Sequence, residues 1–165
     1  MRSLLIIFII VVFDQATKFI VQSSFALGEG FNVISGFFDI RYVQNTGAAF
    51  GILEGFNVWL VVLSLFMIAF LVGFRRLLFS NMKFGIVVYS LLVAGIIGNL
   101  IDRIKYGYVI DFLYFYWRGH DFPAFNVADS AISIGACAYI ILQKFVKASE
   151  TTAVSAKIEE KTSSD

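Results

Sequence analysis

Long apolar runs dominate the chain, and they limit the folds that are open to it. The first run begins LLIIFIIVVF, directly after Ser3. A helix that crosses a bilayer needs about 20 predominantly apolar residues. Four segments approach this length, at about residues 3–21, 58–74, 84–101 and 127–146. The sequence therefore predicts a membrane all-α protein with four transmembrane helices.

The composition agrees with this class and excludes several others. Of the 165 residues, 59% are hydrophobic and 15% are charged, whereas soluble domains carry about 25% charged residues. The net charge of +1 gives no strongly basic surface for a nucleic acid. One cysteine, Cys137, and one histidine, His120, exclude a disulfide framework and the usual zinc motifs. We therefore expect no nucleic-acid partner and no metal site.

Cations at the ends of the predicted spans indicate their orientation. Six of them would share one side of the membrane, namely Arg2, Arg75, Arg76, Lys83, Lys144 and Lys147. Four would lie at or beyond the other surface, namely Arg41, Arg103, Lys105 and Arg118. Because short cytoplasmic loops carry the excess of Lys and Arg, we predict that both termini are cytoplasmic. Residues 1–147 would form the membrane domain, and residues 148–165 a disordered cytoplasmic tail.

Two segments between the predicted spans would lie at the outer surface. The first, at about residues 23–56, contains the partly alternating FDIRYVQ followed by Asn45-Thr46-Gly47, which is typical of a strand and a turn. A strand with an unpaired backbone cannot lie in hydrocarbon, so we expect a small extracytoplasmic sheet on the membrane surface. The second, at about residues 105–125, is rich in Tyr and Trp, which favour the headgroup region. We expect it to form an aromatic outer loop.

Several ionisable side chains lie within or near the predicted spans, where each costs at least about 2.5 kcal/mol at the membrane centre. Asp14 and Lys18 are four residues apart, so they share a helix face and can form an ion pair. Asn99, Asp102 and Arg103 share a face of the third span. They can form either a cluster at the end of that helix or a support for a functional site.

Two further aspartates could perform chemistry together. Asp111 has apolar neighbours in the sequence VIDF, and desolvation there would favour its protonated form. Asn126 and Asp129 begin the fourth span in a capping-like arrangement, and the helix dipole favours an ionised Asp129. If the two aspartates meet, one can take a proton from water while the other donates to a carbonyl oxygen. The alternatives are a solvated loop carboxylate and a simple helix cap.

Five motifs in fixed order make the chain similar to a known family. They are D-Q-x-T-K from residue 14, N-x-G-x-A-F from 45, G-N-x-x-D-R from 98, V-x-D-F from 109, and F-N-x-A-D-x-x-I from 125. The set resembles the bacterial lipoprotein signal peptidases, also called signal peptidase II. The resemblance covers about residues 14–132. It implies a membrane aspartyl endopeptidase that cleaves diacylglyceryl-modified prolipoproteins on the amino side of the lipidated cysteine.

The resemblance also implies roles for individual residues. Asp111 and Asp129 match the catalytic aspartates of the family. Eight more residues are expected to support the aspartates and the substrate, namely Asp14, Lys18, Asn45, Gly47, Asn99, Asp102, Arg103 and Asn126. The family needs no metal and no organic cofactor. We therefore expect a monomer in the bacterial cytoplasmic (inner) membrane, in contact with membrane lipid, with its active site near the extracytoplasmic face.

Two functions of other classes stay open on the sequence alone. A small four-helix exporter would use Asp14 as a proton-coupling carboxylate, although the outer segment is long for such a protein. A membrane scaffold without catalytic activity would tolerate asparagine in place of both Asp111 and Asp129.

Overall fold

The computed structural model describes residues 1–48 and 52–163, with side chains described up to Val146. Its helices and strands, in chain order, are α1 (Arg2–Ser24), β1 (Gly30–Ile34), β2 (Phe38–Asn45), α2 (Asn57–Gly73), α3 (Arg75–Phe79), α4 (Gly85–Tyr106), β3 (Val109–Trp117), β4 (His120–Asp121) and α5 (Val127–Ser163).

Three helices in the described chain are long and apolar enough to cross a membrane: α1, α4 and residues 127–146 of α5. The helix α2 is also apolar but has 17 residues. Its length is about 26 Å, which is shorter than the hydrocarbon core of about 30 Å. The length and composition of the helices thus agree with three of the four predicted spans, and α2 is shorter than a typical span.

The helix α4 lies at the centre of the helix group, in contact with α1, α2 and α5. Two of its glycines allow this close packing. A Cβ atom added to Gly95 would collide with the carbonyl oxygen of Ala128, and one added to Gly98 would lie 2.6 Å from Asp14 Oδ2. The outer surfaces of α1 and α2 carry exposed apolar side chains such as Phe8 and Phe66, as expected for surfaces that face lipid.

The strands form one antiparallel sheet in the order β1-β2-β3-β4. The strand β2 covers the segment in which the sequence predicts a strand, and the predicted turn follows it. In the register of β2 with β3, Val43 pairs with Asp111 and Asn45 pairs with Val109. This pairing brings the turn after β2 close to Asp111.

The prediction of an aromatic outer loop is wrong, because most of that segment is β3 and β4. The sequence VIDFLYFYW is rich in β-branched and aromatic residues, which favour strands. Its side chains also pair across the sheet, since the rings of Phe38 and Phe115 stack with their centroids 4.5 Å apart. Asp111 is therefore a strand residue that is 1% exposed, and it is not a solvated loop carboxylate.

The helix α5 continues to Ser163, which differs from the disordered tail that the sequence led us to expect from residue 148. The chain has no glycine or proline after Gly135. Its last residues include Ala, Glu and Lys, which have high helix propensity. The polar composition that suggested disorder is therefore compatible with a continuous helical backbone.

Candidate active site

Lys18 of α1 lies between two buried carboxylates. Its Nζ atom is 2.9 Å from Asp14 Oδ2 and 2.9 Å from Asp102 Oδ2. It also donates a hydrogen bond of 3.0 Å to Asn99 Oδ1. The three N–H groups of the ammonium therefore have three acceptors. The ion pair with Asp14 that the sequence predicts is present, and the structure extends it to α4.

The two carboxylates that bind Lys18 also hold backbone groups of other elements. Asp14 Oδ1 accepts a hydrogen bond of 2.8 Å from the amide of Ala128, in the first turn of α5. Asp102 Oδ2 accepts one of 3.1 Å from the amide of Ile110 in β3. Because these contacts connect α1 and α4 to α5 and β3, the buried ion cluster fixes the two elements that carry the candidate catalytic aspartates.

Asp129 forms a reciprocal cap at the start of α5. Its Oδ2 atom accepts a hydrogen bond of 3.1 Å from the amide of Asn126, and Asn126 Oδ1 accepts one of 2.9 Å from the amide of Asp129. Asp129 Oδ1 accepts a further hydrogen bond of 2.7 Å from Asn99 Nδ2. The capping arrangement expected from the sequence is therefore present, and both carboxylate oxygens have fixed donors.

Asp111 is held by two asparagines from other elements. Its Oδ1 atom accepts a hydrogen bond of 2.7 Å from Asn126 Nδ2, and its Oδ2 atom accepts one of 2.9 Å from Asn45 Nδ2. Burial and then the negative charge of Asp129 raise the pKa of Asp111 to about 7, against the lowering effect of the two asparagines. Asp111 can therefore gain or lose a proton near neutral pH.

Arg103 holds the turn that positions Asn45. Its Nη2 atom donates a hydrogen bond of 2.9 Å to the carbonyl oxygen of Gly47. The amide of Gly47 in turn donates one of 2.9 Å to Asn45 Oδ1. The oxygen of the Asn45 side chain is thus occupied, and its nitrogen faces Asp111.

A cavity of about 950 Å³ opens beside these groups. Its polar wall includes Asp111 and Asp129. Its apolar wall includes Phe122, Pro123 and Ile134. A cleft with a few convergent polar groups and a large apolar surface is typical of a binding site for a partly apolar ligand.

The structure brings the residues predicted for the site into one region. Asp14, Lys18 and Asp102 lie behind the cavity in the ion cluster, and the cavity wall contains Asn45, Gly47, Asn99, Arg103, Asp111 and Asp129. Asn126 lies between the two aspartates. The motif residues Ala49 and Phe50 lie outside the described residues.

Some residues of the site were missed by the sequence reasoning. Gln15 donates a hydrogen bond of 3.0 Å to Asp102 Oδ1, and Ser133 lines the cavity. The spacing of Asp129, Ile132 and Ser133 places them on one helix face, and this spacing could have identified Ser133. Phe122 and Pro123 gave no such signal, because their place in the cavity depends on the path of the chain after β4.

The matched family agrees with this geometry. Residues 6–145 match the family model described as signal peptidase (SPase) II. The chain belongs to the signal peptidase II family. The resemblance seen in the five motifs is thereby confirmed, and the protein is a member of a protease family.

Relatives of this signal peptidase II chain come from diverse bacteria. The lipoprotein signal peptidase of Symbiobacterium thermophilum is 41% identical over 135 residues, which cover 82% of this chain and 89% of that protein. The lipoprotein signal peptidase of Geobacter metallireducens is 44% identical over 128 residues, which cover 75% of this chain and 78% of that protein.

Solved structures show the same fold as this signal peptidase II chain. A bacterial membrane enzyme determined by the in meso method at 2.3 Å resolution aligns with a TM-score of 0.74 at 38% identity, over 85% of both chains. A second, at 1.9 Å resolution, aligns with a TM-score of 0.72 at 38% identity, over 85% of this chain and 90% of that one. Together with the apolar helices, these matches make the protein a multi-pass membrane enzyme.

Proposed function

We propose that this enzyme is an aspartyl endopeptidase that removes the signal peptide from diacylglyceryl-modified prolipoproteins, on the amino side of the lipidated cysteine. The observation that carries the proposal is the placement of Asp111 and Asp129 in one cavity wall, with Asn126 bonded to both. The names of the relatives, which are lipoprotein signal peptidases, support the substrate class.

In the proposed reaction, the two aspartates hold a water molecule and share one proton, so they titrate as a pair. The ionised carboxylate takes a proton from the water, and the water oxygen attacks the carbon of the scissile carbonyl. The protonated carboxyl donates its proton to the carbonyl oxygen. When the tetrahedral intermediate collapses, the C–N bond breaks and the amine of the cysteine leaves with the proton that the first carboxylate took from water. A hydroxyl of the intermediate returns its proton to the other carboxylate as the new carbonyl forms, which restores the shared proton of the pair.

The other residues of the site act as positioning groups in this proposal. Asn45, Asn99 and Asn126 hold the carboxylates through the hydrogen bonds of their amide groups. The positive charge of Arg103 lies close to both aspartates and reduces the repulsion between them. No metal and no organic cofactor takes part in the proposed reaction.

We further propose the arrangement of the protein in its membrane. The helix α2 would be a short fourth span, and the excess of cations at one end would place both termini in the bacterial cytoplasm. The aspartates would then lie near the extracytoplasmic face of the cytoplasmic (inner) membrane, with the sheet on its outer surface. Because one chain supplies both aspartates, a monomer suffices. The acyl chains of the substrate would remain in membrane lipid beside the exposed Ile134.

A processing assay tests the proposed function. The purified enzyme in detergent is incubated with a diacylglyceryl-modified prolipoprotein, and cleavage is followed by gel shift. We expect Asp111→Asn and Asp129→Asn to lower the rate by about 10²–10⁴-fold, since each removes proton transfer. The matched control is Asp121→Asn, at an exposed aspartate of β4. Cleavage at the parent rate by both site variants would overturn the proposed mechanism.

The exporter hypothesis finds no support in the surroundings of Asp14. This carboxylate is 0% exposed, and both its oxygens have partners, Lys18 and the amide of Ala128. A proton-coupling group needs access to water in at least one state.

A further inference from the structure

A second cavity, of about 620 Å³, lies at the opposite end of α4 from the two aspartates. It is lined by the end of α2, by α3 and by the first turns of α4. Ile86 lines this cavity and Arg103 lines the other. Arg103 follows Ile86 by 17 positions in α4, which corresponds to about 26 Å along the helix and is nearly the thickness of a hydrocarbon core.

Two arginines give this cavity its charge. Arg75 and Arg76 both line it and are both exposed. The guanidinium carbon of Arg75 lies 4.9 Å from the ring centroid of Tyr89, which is itself 6% exposed. Stacking on a buried ring holds a guanidinium in a defined orientation. Among the described side chains, the ion pairs are those of Lys18, so neither arginine is neutralised by a carboxylate there.

The walls beside the arginines are apolar. Val72 and Ile86 line the cavity and are 56% and 45% exposed. They belong to apolar helices, whose exposed apolar surfaces are suited to contact with lipid. The cavity thus joins two cations to an apolar surface at the level where a membrane helix ends.

We propose that this cavity binds an anionic phospholipid, with its phosphate at Arg75 and Arg76 and an acyl chain along Val72 and Ile86. Arginine matches the geometry of a phosphate through paired hydrogen bonds. Basic pockets between membrane helices accept anionic head groups. The apolar wall distinguishes a lipid from a free phosphate ion, which would gain nothing from it. The bound lipid would connect α2 and α3 to the central helix α4. Binding of this lipid does not depend on the proposed peptidase activity.

Native mass spectrometry of the purified protein tests this proposal. The protein in a nonionic detergent is titrated with phosphatidylglycerol and, separately, with phosphatidylcholine of the same acyl chains. We expect tighter binding of phosphatidylglycerol. The variant Arg75→Gln/Arg76→Gln should weaken it roughly 30-fold, about 5-fold for each charge lost near a membrane surface. Ile86→Trp, which fills the cavity and keeps both charges, should also weaken it.

The controls separate a built site from general charge attraction. Arg2→Gln/Lys83→Gln removes two exposed cations that do not line the cavity, and we expect it to bind phosphatidylglycerol as the parent does. Inorganic phosphate at the same concentrations should not displace the lipid. Equal weakening by both double variants, unchanged binding in Arg75→Gln/Arg76→Gln, or displacement by inorganic phosphate would each overturn the proposal. Thermal unfolding without lipid verifies that every variant is folded.

Discussion

Asn126 is the residue on which the two aspartates depend most directly. It is fully buried, and it uses its backbone amide for Asp129 and its side-chain nitrogen for Asp111. One rigid residue thus sets the relative position of two carboxylates that come from different elements. Such groups catalyse efficiently only when their geometry is fixed before the substrate binds.

Asn45 should set the upper pH limit of activity. The pKa of Asp111 is about 7, so in the proposed mechanism the pair loses its shared proton, and the enzyme its acid, as the pH rises through this value. The hydrogen bond from Asn45 stabilises the ionised carboxylate and lowers the pKa. In Asn45→Ala the pKa should rise, which moves the alkaline limb of kcat/KM upward by about one pH unit.

The matched control for Asn45→Ala is Thr46→Val. Thr46 is the next residue and also lines the cavity, but its hydroxyl donates to Glu54 rather than to Asp111. Its pH profile should match that of the parent. A downward shift of the alkaline limb in Asn45→Ala would contradict the assignment of Asp111 as the titrating group.

Lys18 should be essential for stability. In Lys18→Met, Asp14 and Asp102 lose the cation that lies 2.9 Å from each. Removing one partner from a buried ion pair typically costs about 3–5 kcal/mol, which corresponds to a fall in Tm of about 10 °C for a chain of this size. Thermal unfolding in detergent measures this fall in Tm. The same substitution at the exposed Lys144 should leave Tm nearly unchanged, and equal shifts in both variants would refute the argument.

The strand β3 shows what a pattern of apolar residues can and cannot reveal. Its β-branched and aromatic residues were visible, yet the sequence reasoning interpreted the segment as a loop because Tyr and Trp also favour the headgroup region. A strand becomes evident only once its partner is known, and β2 lies more than 60 residues earlier in the chain. Such long-range pairing leaves no local signal. By contrast, the cap formed by Asn126 and Asp129 is local, and the sequence predicted it.

Close packing of α4 against α1 makes Gly98 sensitive to a single methyl group. In Gly98→Ala the new Cβ would lie 2.6 Å from Asp14 Oδ2. That oxygen cannot move away freely because it is bonded to Lys18. We expect a loss of about 1–3 kcal/mol in stability, together with slower processing, as measured by thermal unfolding and the cleavage assay. Gly73→Ala is the control, since a Cβ there meets no atom within 4 Å; similar losses in the two variants would exclude this cause.

At the scale of the whole molecule, the sequence predicts the class of protein and its motifs, but not the contacts between the elements that carry those motifs. Apolar length alone predicted a multi-pass membrane protein, and five short motifs predicted the family that residues 6–145 match. The contacts that join the motifs were not visible. For example, Lys18 pairs with Asp14 four residues away, as helical periodicity requires, but also with Asp102 in another helix. Spacing fixes the first contact, and only the packing of helices fixes the second.

The end of the chain should be dispensable for catalysis. The family match ends at residue 145, and residue 148 is 19 helical positions beyond Asp129, or about 28 Å. A protein truncated after Lys147 should therefore keep its kcat and KM for a lipidated prolipoprotein. The matched control is the full chain, purified and assayed in parallel. A large loss of kcat with an unchanged Tm would assign the end of the chain a direct part in the reaction.

The buried ion cluster also bears on how the protein is made. Segments of a membrane protein leave the ribosome one after another, so α1 must enter the bilayer long before α4 exists. Asp14 and Lys18 already neutralise each other within α1, whereas Asp102 and Arg103 are adjacent in α4 and do not share a helix face. The two charges that α1 gives to the cluster are therefore inserted as a pair, whereas Asp102 gains its buried cation only when α4 packs against Lys18. The buried ion cluster is thus begun within α1 and completed by a carboxylate of a helix that is made later.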